Sequence, residues 1–208
     1  MLRQLLLFLT LLILLFSPTF ASDNKPVVLV LGDSISAAWG LNTDEGWVSL
    51  LQVRLQEKSN NTRVINASVS GDTTRTALNR LDDALQQHKP SIVIIALGGN
   101  DGLRGLPFSE IEKSLSAIIE KSQQAGTTVL LAGVRLPPNY GAFYNSRFAA
   151  LFQSLSEKYQ VPLVPKILDQ VADDSSLMQA DGTHPTAEGQ KQVLENVWVH
   201  LVPLLVNE

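Results

Sequence analysis

The stretch VVLVLGDSIS, running from Val27 to Ser36, decides the fold. Its first five residues are valine and leucine without interruption, the pattern of a strand buried on both faces. A glycine ends the run, and an acid and a serine follow, residue types that turn or cap a chain. Two further runs of this kind lie downstream, Ile92–Leu97 and Val129–Ala132. Arg63–Val69 and Val161–Val164 are weaker strand candidates. Pro162 and Pro165 put the latter at a sheet edge, because proline has no N–H to give a ladder. Between these runs the apolar period lengthens to that of a helix. The stripes are Trp47, Leu50, Leu51 and Leu55; Leu78, Leu81, Ala84 and Leu85; Ile111, Leu115, Ile118 and Ile119; Phe148, Leu151, Phe152 and Leu155; and Leu194, Val197, Trp198, Leu201 and Leu205. Five strands alternating with helices predict an α/β fold, a parallel sheet covered on both faces in three α/β/α layers. Ligands of such sheets bind beyond the C-terminal strand ends, near the switch point in strand order. The loops after strands one, two and three are therefore expected to carry the chemistry.

The chain ahead of this strand reads differently. Arg3 gives a positive start, Leu5–Phe16 is apolar apart from Thr10, and Ser17-Pro18 breaks the run before the small residues around Ala21. That is the layout of a secretory signal peptide over residues 1–21, cleaved after Ala21. The apolar run is shorter than the ~20 residues of a spanning helix, so no integral membrane segment is expected after cleavage. Residues 22–208 then form one domain, a length suited to one sizeable core. Arg3 is the only charge lost with the leader, leaving 15 basic against 20 acidic residues. A modestly acidic protein has no electrostatic reason to bind nucleic acid or an anionic membrane surface. The absence of cysteine rules out disulfides, thiolate metal sites and cysteine catalysis. A monomer in a periplasm or outside the cell is expected.

The expected loops are rich in chemistry. After strand one comes Gly32-Asp33-Ser34-Ile35-Ser36, after strand two Ser70-Gly71-Asp72-Thr73, and after strand three Gly98-Gly99-Asn100-Asp101-Gly102. Near the C-terminus stands Asp181-Gly182-Thr183-His184-Pro185. Acyl transfer needs a nucleophile, a base, a group that orients the base, and donors for an oxyanion. Ser34, on an expected strand-to-helix turn, suits the first; it equally suits a helix cap. Its backbone N–H, the N–H of Gly71 and the side-chain amide of Asn100 suit the donors, although glycines in such loops are also ordinary turn residues. His184 suits the base and Asp181, three residues earlier, its orienter. His88, at a helix end, and His200, inside the last helix, read as structural.

These four blocks resemble those of the SGNH, or GDSL, hydrolase superfamily. Gly98–Gly105 (GGNDGLRG), Arg135–Gly141 (RLPPNYG) and the DGTHP block resemble most closely the multifunctional acyl-thioesterase, lysophospholipase and arylesterase family of Gram-negative bacteria. The resemblance runs through essentially the whole chain after the leader. It implies a flavodoxin-like strand order of 2-1-3-4-5. It implies a catalytic Ser34–His184–Asp181 triad and an oxyanion hole of Ser34, Gly71 and Asn100. It implies hydrolysis of acyl thioesters, lysophospholipids and aryl esters through an acyl-serine intermediate, with no cofactor and no metal. Ser34 lies outside a Gly-x-Ser-x-Gly elbow, which argues against the ordinary α/β-hydrolase fold.

An apolar cleft is expected from Trp39, Leu41, Leu103, Leu106, Phe108, Leu136, Pro137, Pro138, Tyr140, Phe143 and Tyr144, several of which suit the core equally well. The rival enzyme is a carbohydrate or peptidoglycan O-deacetylase, which the same superfamily contains. The rival from another class is a non-catalytic binding module. Asp33, Asp72 and Asp101, with Lys166, imitate a phospho-acceptor site, but a secreted receiver has no kinase, and helix capping or loop anchoring is the simpler reading.

Overall fold

The computed structural model describes residues 25–205, so the expected leader over 1–21 lies outside the described residues. Five strands form one parallel sheet in the order β2-β1-β3-β4-β5. They are β1 (Val27–Gly32), β2 (Arg63–Asn66), β3 (Ile92–Ala96), β4 (Thr128–Ala132) and β5 (Leu163–Val164). The helices are α1 (Trp47–Glu57), α2 (Thr74–His88), α3 (Gly99–Leu103), α4 (Phe108–Gln124), α5 (Ala142–Tyr159) and α6 (Ala187–Leu205). The two-residue period of a strand divides the core. Leu29, Leu31, Val93, Ile95 and Leu131 face one way and bury the stripes of α2, α4 and α5. Val28, Val30, Ile92, Ile94 and Leu130 face the other and bury those of α1 and α6. Each such leucine or isoleucine, fully buried, contributes about 1.5–3 kcal/mol. Among the described residues no helix is long and apolar enough to cross a membrane.

Three local expectations are corrected. The second strand ends at Asn66 rather than Val69. The Asn66 side chain accepts the Ser68 N–H at 3.1 Å and donates to the Ser36 carbonyl at 2.8 Å, while Ala67 and Val69 still donate to the Val30 and Gly32 carbonyls of β1. The fifth strand is two residues long, hemmed between Pro162 and Pro165. Ser34 does not open a helix. Residues 34–40 are successive turns, and the next regular helix starts at Trp47. One helical turn forms, Ala37 N–H to the Asp33 carbonyl at 2.9 Å, and Ala38 at φ 56° ends it. The Asp33 carboxyl caps that turn by accepting the Ile35 N–H at 3.1 Å.

That turn is bolted down from below. Gln190 of α6 is 1% exposed. Its Oε1 accepts the Trp47 N–H at the start of α1 at 3.0 Å, and its Nε2 donates to the Ile35 carbonyl at 3.1 Å. The Trp47 indole N–H donates to Ser36 Oγ at 3.2 Å. Gly32 permits this closeness, because a Cβ there would stand 2.6 Å from Ser36 Oγ. Gln190→Leu keeps the volume but strands the Trp47 N–H and the Ile35 carbonyl. It should lower unfolding free energy by about 1–3 kcal/mol, the cost of leaving buried polar groups unpaired; urea denaturation reads this directly.

Candidate active site

The His184 loop is a narrow hairpin between β5 and α6. Met178 and Pro185 form an antiparallel bridge, and the Gln179 N–H donates to the His184 carbonyl at 2.7 Å. The Gln179 side-chain amide donates to the Trp39 and Pro185 carbonyls, both at 2.8 Å. It thereby ties this hairpin to the turns that carry Ser34. Gly182, at φ 63°, reverses the chain so that Asp181 and His184 stand side by side.

The result is a hydrogen-bonded line. Ser34 Oγ lies 2.8 Å from His184 Nε2, and His184 Nδ1 lies 2.6 Å from Asp181 Oδ2. Asp181 Oδ1 accepts the backbone N–H groups of Thr183 at 2.9 Å and His184 at 3.0 Å. The bond from His184, then these two N–H bonds, hold the Asp181 carboxyl down at about 2. It is ionised at every pH above that and can only accept, so Nδ1 must donate and Nε2 presents its lone pair to the serine. Asp181 and His184 meet within one hairpin, but only the tertiary fold brings Ser34 to them, since 150 residues separate Ser34 from His184.

Gly71 and Asn100 face the same space. Gly71 takes φ 86°, a left-handed conformation that favours glycine, and a Cβ there would meet nothing within 4 Å. Its need for glycine is thus conformational rather than steric. Asn100 was expected in a loop; it sits instead in α3, whose turn is braced by the Tyr140 and Tyr144 hydroxyls donating to the Leu103 and Gly102 carbonyls at 2.8 and 3.2 Å. Asn100 Nδ2 donates one hydrogen to the Asp72 carbonyl at 3.0 Å, which fixes the amide and leaves its other hydrogen free to act as a donor. Among the described residues neither the Ser34 nor the Gly71 backbone N–H has an acceptor.

The loop carrying Gly71 is clamped by residues that sequence reading missed. Arg80 reaches back from α2 to Asp72 Oδ2 through Nε at 2.9 Å and through its terminal nitrogen at 2.5 Å, and also donates to the Ala67 carbonyl. Arg104 donates to the Gly71 carbonyl at 3.1 Å. Asp101 is buried and takes both the N–H and the hydroxyl of Thr74, at 2.9 and 2.6 Å. Asp72 and Asp101 therefore anchor the loops around the site. Among the described residues no group of three or more histidines and carboxylates could hold a metal ion.

The cleft has a volume of about 470 Å³. Trp39, Leu103, Leu136, Pro137 and Pro138 line it as expected; Leu41, Leu106, Phe108, Tyr140, Phe143 and Tyr144 do not. Phe108, Tyr140 and Tyr144 pack against the core instead, and Phe143 stands in solvent. The far wall comes from Leu168, Ala172 and Met178, in the long irregular connection between β5 and α6. No periodicity marks these residues. The length of that connection, unusual in a compact domain, was the available signal.

Residues 30–192 match the profile of the GDSL-like Lipase/Acylhydrolase family. The chain is similar to esterase TesA of Pseudomonas aeruginosa, 47% identical over 178 residues, covering 86% of this chain and 89% of that protein. It is similar to thioesterase 1/protease 1/lysophospholipase L1 of Escherichia coli K12, 38% identical over 187 residues, covering 90% and 88%. The crystal structure of TesA superposes with a TM-score of 0.84 at 46% identity, covering 86% of this chain and 99% of that one.

The clamp makes a stability test possible. Arg80→Met leaves the buried Asp72 carboxylate without its partner and should destabilise the fold by about 3 kcal/mol, the lower end for breaking a buried pair because Arg80 is partly exposed. Adding Asp72→Asn should restore part of the loss. A double-mutant cycle by denaturant unfolding checks both statements.

Proposed function

The chain belongs to the GDSL-like lipase/acylhydrolase family and is a carboxylic ester hydrolase, and from that premise we propose that Ser34 is its nucleophile, His184 its general base and Asp181 the orienter of that base. The observation that carries this reading is the unbroken line from Ser34 Oγ through His184 to Asp181, at 2.8 and 2.6 Å, on the wall of an apolar cleft.

The steps follow from the geometry. His184 Nε2 takes the Ser34 proton as Oγ bonds to the acyl carbon, and the carbonyl π electrons move onto its oxygen. The Ser34 and Gly71 N–H groups and the Asn100 amide stabilise that oxyanion. Collapse expels the alcohol or thiol, which takes the proton from His184 and leaves acyl-Ser34. Water, deprotonated by the same imidazole, repeats the sequence and releases the acid and free Ser34. Ionised Asp181 stabilises the imidazolium that forms in each half.

We assign acyl thioesters, lysophospholipids and aryl esters as substrates, in line with the names of the relatives and with a cleft walled by Leu103, Leu136, Leu168 and Met178. The relatives are named esterase and thioesterase/lysophospholipase, so the O-deacetylase alternative is not favoured. Residues 1–21 are taken as the export leader of a monomer acting in the periplasm or outside the cell, without a cofactor.

Two measurements test the assignment. Ser34→Ala should lower turnover by about 10⁴–10⁶ and abolish labelling by a fluorophosphonate probe; a variant that kept a tenth of wild-type activity would sink the nucleophile. Asn100→Ala should lower kcat by about 10²–10³, because an oxyanion donor acts on the transition state more than on the bound ester. A kcat within fivefold of wild type removes Asn100 from the oxyanion hole.

A further inference from the structure

One buried titratable group of the cleft has no part in the steps above. Asp33 precedes Ser34, is 4% exposed and lies on the cleft wall. Its Oδ1 accepts the Ile35 N–H at 3.1 Å, closing a ring over Ser34 itself. Gln190 holds the other side of Ile35 through its carbonyl. Oδ2 accepts no hydrogen bond from a described residue and points toward α3, 3.3 Å from where a Cβ on Gly99 would stand.

Among the described residues, His184, from the hairpin before α6, is the cation that acts on Asp33, while Asp101, from α3, and Asp72, from the loop before α2, oppose it; Arg135, on the cleft wall, pairs with Asp173. Asp72 is matched by Arg80, and Asp101 is spent on Thr74. A carboxyl needed only to cap the turn could be an asparagine, which offers the same acceptor to Ile35 and avoids burying a charge. The sequence keeps the acid one residue from the nucleophile.

We propose that Asp33 is a positioning residue of the hydrolytic reaction, whose carboxylate both holds the turn that presents Ser34 and supplies a fixed negative charge favouring the His184 imidazolium formed as Ser34 gives up its proton. The inference rests on Ser34 and His184 acting as nucleophile and base. Burial, opposed by the Ile35 N–H and by His184, pushes the Asp33 carboxyl up to about 6. Its charge is therefore lost as pH falls through that value.

The sign for stability follows from linkage. A carboxyl raised in the folded state favours folding when protonated. That contribution is complete below the unfolded value near 4 and is lost as pH rises through about 6. At neutral pH the ionised Asp33 is thus a burden on the fold, as groups kept for catalysis often are.

The test is Asp33→Asn, which retains the bond to Ile35. Its kcat at pH 8 should fall about tenfold, the equivalent of one pK unit of lost imidazolium stabilisation. The acid limb of its pH–rate profile should reflect one proton, where the wild-type limb reflects two and is steeper. Its thermal midpoint should exceed that of the wild type at pH 7.5 and converge with it near pH 4. Independently of turnover, carboxyl-carbon NMR of the wild-type protein should show Asp33 titrating near 6. A variant with wild-type kcat and an unchanged acid limb overturns the proposal, as does an Asp33 carboxyl still protonated at pH 8. A fall in kcat with the two-proton limb retained also overturns it, because that is the mark of a turn merely distorted. Should the wild type hydrolyse no ester or thioester at all, the hydrolase reading fails first, an outcome distinct from any of these.

Discussion

The pairing of β1 with β3 is the constraint from which the site follows. The chain leaves β1 for α1 on one face of the sheet, and leaves β3 for α3 and α4 on the other. Two adjacent parallel strands whose exits diverge must open a crevice between them. The Ser34 turn forms one side of that crevice and the N-terminal end of α3 the other. β2, on the outer flank of β1, delivers the Gly71 loop to the same opening. Three of the four chemically marked loops therefore converge because of strand order alone.

Convergence is not yet geometry. The loops are fixed by polar side chains that cross between elements: Gln190 to the Ser34 turn, Arg80 and Asn100 to the Gly71 loop, Thr74 to Asp101, and Gln179 from the His184 hairpin to Trp39. Among the described residues no side-chain nitrogen or oxygen that is itself shut off from solvent lacks a partner. Such networks hold a reacting group to within tenths of an ångström, which orientation effects in catalysis demand. Apolar packing could position the helices, but it cannot aim a hydroxyl. Asp33 belongs to this set by position and departs from it in its partners, since only one of its carboxyl oxygens accepts a hydrogen bond from a described residue.

The strand runs, the helical stripes and the α/β class were legible because burial on two faces or one leaves a period in the chain. Strand order was not legible from periodicity and came from resemblance to a family; the β2-β1-β3-β4-β5 sheet agrees with it. Ser34, Gly71, Asn100, Asp181 and His184 could be picked out because they lie in short glycine-rich blocks at strand ends. The expectation of a helix at Ser34 failed because Ala38, at φ 56°, ends the helical turn after a single round, a backbone choice no propensity records. Asn100 was read as a loop residue because flanking glycines disguise a helix held together by Tyr140 and Tyr144.

The sequence by itself determined which segments are strands and helices, which face of each is apolar, and which residue types are available for acyl transfer. These are local or periodic properties, and hydrophobic burial enforces them wherever the chain lies. Only the tertiary structure decided that Ser34 and His184, 150 residues apart, stand 2.8 Å from each other. It also decided that Leu168 and Met178 wall the cleft where Tyr140 and Phe108 do not, and that Arg80 and Gln190 are structural bolts. Such contacts depend on the three-dimensional meeting of loops, and directional hydrogen bonds between distant residues leave no period in a sequence.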